Sequence, residues 1–134
     1  RLKRADIRDL DEVRRILEAA IAEKAAGRRT EKDLGRMEEH LRERGAAAAA
    51  GELDACIAAD IAFHTAIAEA THNEILAELY RSVSVHLPRG FRRIYDDTSC
   101  LLASQPSHEK LTGHIAAREP REALRTIALI LEEP

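Results

Sequence analysis

Asp60 and His64, one helical turn apart, are the residues of this sequence whose types and spacing first suggest chemistry. The stretch that carries them has an apolar stripe of Leu53, Cys56, Ile57, Phe63 and Ile67. At roughly 100° per residue, Asp60 and His64 fall near the centre of that stripe. A carboxylate and an imidazole therefore point into the core, where a buried carboxylate needs strong compensation. The pair can share a cation. It can equally form a plain buried Asp–His hydrogen bond, and these two residues leave both readings open. A third group joins them from further along the chain. His108 lies on the same helical face as Leu111 and Ile115 and so also points inward. One oxygen and two nitrogen donors form a set that suits Zn²⁺, Ni²⁺ or Mn²⁺ without choosing among them.

Other polar groups are candidates for a ligand other than a metal. Arg14 sits roughly 40° from the line through Leu10, Leu17 and Ile21, so its guanidinium reaches into the same interior. Arginine suits bidentate carboxylate recognition, although a local salt bridge to Asp11 or Glu18 explains it as well. His86 lies at the edge of an apolar stripe and can line a pocket. Asn73 opens a helix as a plausible cap. Arg14, His86 and Asn73 are the candidate effector contacts. His40 falls on a polar face, His72 at a junction, and His114 roughly 120° away from His108. Several enzyme signatures are missing. His108-Glu109 is followed by Lys110-Leu111-Thr112 rather than completing HExxH, and there is no GxSxG and no phosphate-binding glycine loop.

Six helical stretches must position these groups. The first spans 7–26, with Leu10, Val13, Leu17 and Ile21 at helical spacing and Gly27 as its end. Thr30 opens the second, with Asp33 three residues on as a capping-box partner and Leu34, Met37 and Leu41 as its stripe. Gly51 breaks the alanine run that follows. The third spans 53–70. Asn73 caps the fourth, which carries Ile75, Leu76, Leu79 and Val83 and is kinked or interrupted by Pro88 and Gly90. The segment 96–106 reads as a loop. The fifth helix spans 107–118, and Pro120 suits the first turn of the sixth, 120–131. No segment alternates as a strand does. Short connections make neighbours antiparallel, so the expectation is one all-α domain over 1–134, an antiparallel bundle of about six helices.

Composition agrees. Of 134 residues, 45% are apolar but only 3% aromatic, which favours close helix packing over a sheet. A net charge of −3 argues against nucleic-acid binding by these residues. The short basic patches, Arg1, Lys3 and Arg4, and Arg89, Arg92 and Arg93, read as solvated surface. Cys56 and Cys100 have neither redox nor zinc-knuckle spacing, so a reducing, cytoplasmic setting is the default. No apolar run is long enough to span a bilayer, and the first residues do not form a signal peptide.

These residues, in this order, resemble the FCD domain, the C-terminal effector domain of the FadR subfamily of GntR-type regulators. The resemblance covers almost the whole chain. It begins with an Arg-x-x-Leu-Glu element, Arg14, Leu17 and Glu18, and continues with Asp-x-x-Phe-His, Asp60, Phe63 and His64. It then takes in Asn73, His108, and the Glu119, Pro120 and Ala123 that open the last helix. The resemblance implies a helical bundle that dimerises and binds a small metabolite, often a carboxylate. It also implies a divalent metal held by one Asp and three His, of which Asp60, His64 and His108 match three. The fourth position is occupied by Ile130. The family's winged helix-turn-helix is absent from these residues, so DNA binding belongs to a domain outside them. The leading expectation is a ligand-sensing, dimerising, non-enzymatic domain. A metal-dependent enzyme that activates water at the Asp/His site, and a purely structural module, are the alternatives.

Overall fold

The structure, a computed structural model, describes residues 4–132. It is all-helical, with eight helices and no strand among the described residues. They are α1 (Arg4–Arg28), α2 (Glu31–Ala49), α3 (Leu53–Glu69), α4 (Glu74–Ser84), α5 (Leu87–Ile94), α6 (Ser99–Ala103), α7 (Gln105–Ala116) and α8 (Pro120–Glu132). None is long and apolar enough to cross a membrane.

The expected six helices become eight for two local reasons. The kink expected near Arg89 is a full break. Helix α4 stops at Ser84, and α5 starts afresh with a proline in its first turn, where the missing N–H costs nothing. The stretch expected as a loop contains α6, and α7 begins two residues earlier than its stripe suggested, with Pro106 again in a first turn. Gly27 does not end α1, which runs on to Arg28.

The caps hold as the residue types demand. Thr30 accepts from the Asp33 backbone N–H while the Asp33 side chain accepts from the Thr30 N–H, closing the capping box. Gly51, at φ +75°, turns the chain between α2 and α3. That turn lays α2 antiparallel along α3, and a three-residue link does the same for α7 and α8. At one end of the bundle two arginines exchange roles. Arg29 donates to the Ile115 and Ala116 carbonyls at the end of α7. Arg118, itself in the left-handed region at φ 58°, donates to the Gly27 and Arg29 carbonyls at the end of α1. Each thus caps the other helix's exposed acceptors.

The apolar interior has two parts. The larger is built on Ile21, Met37, Phe63, Ile67, Tyr80, Leu111, Ile115 and Ile127, with alanines of α1 and α3 letting the helices approach. The smaller joins Ala47, Cys56, Ile57, Leu87, Phe91 and Leu101. Asp60 and His64 lie on the stretch of α3 between Ile57 of the smaller cluster and Ile67 of the larger one.

Candidate metal and effector site

Two helices bring the three expected donors together. Asp60 and His64 project from α3 and His108 from α7, all buried. The Nε2 of His108 lies 3.2 Å, and that of His64 3.7 Å, from the same Asp60 oxygen, Oδ1. One donor atom from each of the three lies within 4.8 Å of the others. The two imidazole rings stand perpendicular, 5.4 Å apart.

The tautomers follow from what holds each ring from behind. His108 Nδ1 lies 2.7 Å from the Ser104 carbonyl, which can only accept, so Nδ1 carries the proton. His64 Nδ1 likewise donates to Glu18 Oε1. In the neutral imidazoles both Nε2 atoms then present lone pairs toward a carboxylate oxygen. His64 Nε2 is buried and has no hydrogen-bond partner. Lone pairs facing a carboxylate call for a cation between them, and carboxylate or carbonyl anchors behind the rings are the usual support of metal-ligating histidines. The donor set therefore fits a divalent ion.

Without an ion, a proton takes part of that role. Burial would lower the basicity of His64, but Glu18 and Asp60 on its two sides outweigh it and hold the imidazole up at about 9. Burial opposes the ionisation of Glu18, yet His64 and Arg14 hold it down at about 2. Asp60 is kept well below the usual carboxylate range, against its burial, chiefly by His64 and His108.

Arg14 reaches the site, and it also makes the local pair that its spacing allowed. Its Nε donates to Glu18 Oε2 at 2.8 Å, and its guanidinium carbon lies 5.2 Å from the centre of the Phe91 ring. Tyr80 completes the cluster by donating to Glu18 Oε2 at 3.2 Å. Burial and the Glu18 charge push the Tyr80 hydroxyl well above its ordinary pKa, so it stays protonated.

The sequence reading missed Arg44. Its side chain is 1% exposed, and its Nε donates to Asp60 Oδ1 at 2.7 Å. The signal was present, since Arg44 continues the α2 stripe of Met37 and Leu41 at helical spacing.

A cavity of about 40 Å³ opens beside these groups, lined by Arg14, Arg44, Asp60, His64 and His108, by Phe91, Tyr95, Leu101 and Ser104, and by Ile130 and Leu131 of α8. Ile130 is an apolar part of that lining. Two expected effector contacts are not brought to this cavity. Asn73 is exposed and uses its side chain to cap α4, accepting from the Leu76 N–H at 3.0 Å. His86 is exposed at the start of α5, because the break after Ser84 takes it off the inward stripe. His114 faces away from the cavity and pairs with Glu119.

Comparison with known proteins gives consistent matches. A family model described as the FCD domain matches residues 9–133. The chain is 35% identical over 127 residues to the HTH-type transcriptional regulator LutR of Bacillus subtilis (strain 168), covering 91% of this chain and 57% of that protein. It is 40% identical over 73 residues to the Uxu operon transcriptional regulator of Escherichia coli (strain K12), covering 54% of this chain and 28% of that protein. Among solved structures, E. coli McbR/YncC superposes with a TM-score of 0.87 at 19% identity, over 98% of this chain and 67% of that one. Streptococcus agalactiae GntR gives 0.83 at 22% identity, over 98% and 60%. These two likenesses speak for the fold. The chain spans 57% and 28% of the lengths of the two curated relatives.

Proposed function

The chain belongs to the FCD domain family, and from that premise we propose that it is the effector-sensing and dimerising part of a GntR-type transcription regulator, of the FadR subfamily, with no catalytic role. The observation that carries this is the buried Asp60–His64–His108 cluster with Arg14 beside it, a recognition site inside a bundle rather than a reaction centre. Glu18, Arg14 and Arg44 are all held in ion pairs, which supports binding over acid–base work. DNA contact falls to a separate domain, in keeping with the relatives' printed names and with the part of their length that this chain spans.

Asp60, His64 and His108 would hold the divalent ion, Zn²⁺, Ni²⁺ or Mn²⁺, and the ion would supply a Lewis-acidic point for an oxygen ligand. Charge selects that ligand. Arg14 and Arg44 balance Glu18 and Asp60, so a dication between neutral imidazoles leaves the pocket with the ion's two positive charges, which an organic acid lowers and a dicarboxylate cancels. Size limits it too. About 40 Å³ is far below the roughly 300 Å³ of an ordinary ligand cleft, so the acid is small or α5 and α6 yield to admit it.

Dimerisation would use the apolar side chains left outside the core on α1 and α4: Val13, Ile16, Ile75 and Leu79, 44–76% exposed. Effector binding would then bias the placement of the attached DNA-binding halves.

The test is a thermal-shift screen of small organic acids with and without Zn²⁺. Stabilisation that is larger with Zn²⁺ and reduced by Arg14→Ala supports the reading. Stabilisation by neutral or acyl ligands alone would sink the carboxylate assignment.

A further inference from the structure

Asp60 already has a cation. Arg44 crosses from α2 to place Nε 2.7 Å from Asp60 Oδ1, the oxygen that also faces His64 Nε2 and His108 Nε2. The rest of the guanidinium is gripped from the far side. Its NH1 donates to the Leu101 carbonyl at 2.9 Å and to Gln105 Oε1 at 2.7 Å, and its NH2 donates to Ser104 Oγ at 2.9 Å. Gln105 is itself fixed, since its Nε2 donates to the Leu41 carbonyl. It also lies so close to Gly45 that an added Cβ there would stand 2.9 Å from the amide nitrogen.

We propose that Arg44 is the resident cation on Asp60 and the residue that sets how weakly or tightly a divalent ion is held there; the role rests on the metal-site reading above. A buried charge is tolerated when paired, and the Arg44–Asp60 pair satisfies both partners with no ion present. An ion taking Asp60 Oδ1 as a ligand must share that oxygen with the guanidinium. It meets a carboxylate whose charge is already neutralised, and it meets a second positive charge where water does not screen it. Arginine cannot relieve this by losing a proton. Nor can it swing aside, because its other contacts hold it to α6, to α7 and to the residue joining them. Arg44 therefore keeps the site assembled without metal and lowers its affinity for one.

Arg44 could instead act as an orienting residue, because Ser104, which it contacts, also anchors His108 through its carbonyl. That role has the opposite sign, since losing such a support weakens metal binding by about 10–100-fold.

The experiment is competition titration of Zn²⁺ between a chromophoric chelator and the purified chain at one fixed pH, for the wild type, Arg44→Met and Arg44→Lys. Removing the repulsion is expected to tighten Zn²⁺ binding by about tenfold or more in Arg44→Met, with Arg44→Lys close to the wild type. Equal or weaker binding by a folded Arg44→Met overturns the role while leaving the metal site standing. Failure of Zn²⁺ to bind the wild type and either variant overturns the metal site, and the role with it. Should Arg44→Met not fold, the wild type decides by NMR of its arginine Nε–H signals. Excess Zn²⁺ is expected to shift the Arg44 signal and speed its exchange, and an unchanged signal in the zinc-bound protein refutes the competition.

Discussion

Glu18→Gln in metal-free protein tests the electrostatics of the site most directly. Glu18 is 3% exposed and accepts from Arg14, His64 and Tyr80 together. Glutamine keeps the shape but removes the charge that both cations rely on, and it turns one acceptor into a donor. Glu18 and Asp60 together hold His64 at about 9 rather than 6.5, which is worth about 3 kcal/mol, with the Glu18 charge the stronger of the two. Glu18 also pairs with Arg14, and breaking a buried ion pair by removing one partner costs about 3–5 kcal/mol, so a loss of about 3 kcal/mol is expected. For a domain of this size that is a fall in Tm of about 10 °C.

The pH dependence has a definite sign. A pKa raised on folding gives stability that is complete below 6.5 and is lost as pH rises toward 9, where His64 deprotonates in the folded state. The lowered pKa of Glu18 gives stability that is complete above 4.5 and is lost as pH falls toward 2. Wild-type protein in a chelator should therefore lose stability between pH 6.5 and 9, and Glu18→Gln should lose much less over that window. The assay is urea denaturation of both proteins across the range. Parallel pH profiles, or a variant less than about 1 kcal/mol weaker at pH 6, would refute the reasoning.

Ile130→His adds a third imidazole to the cavity wall and should raise divalent-metal affinity, whereas Asp60→Ala or His64→Ala should abolish it; metal content after loading and gel filtration measures both. Ile16→Glu together with Leu79→Glu, on exposed positions, should shift the full-length protein toward monomer in sedimentation while leaving its helicity unchanged. Thr30→Ala removes the capping box and should cost about 1–2 kcal/mol in urea denaturation. Gly51→Ala meets no steric neighbour, so its cost of about 1–2 kcal/mol should come from the positive φ alone.

Periodicity made the inward set legible. Asp60, His64 and His108 each interrupt an apolar stripe, and a polar residue in such a place is informative because burial must be compensated. The caps at Thr30 and Asn73 were legible because capping is local. What joins the helices was not. That Glu18 stands behind His64, and that Arg44 pairs with Asp60, depends on which faces of α1, α2 and α3 meet, which no spacing within one helix states. Arg44 was the more findable, as a charge on the Met37–Leu41 stripe. His86 was misplaced because the stripe was extended across the α4–α5 break, and α6 was missed because five residues are too few to show a period. The FadR-subfamily label rests on the ordered motifs, while the family match itself speaks for the FCD domain.

The exchange of arginines between the ends of α1 and α7 has a consequence for how the bundle comes apart. Helix termini usually fray one by one, each at its own small cost. Here Arg29, at the end of α1, supplies hydrogen-bond donors to α7, and Arg118, just past the end of α7, supplies them to α1, although the two lie 89 positions apart in the chain. If either terminus unwinds, it withdraws the donor that keeps the other in place. The two ends are therefore expected to melt together as a single cooperative unit.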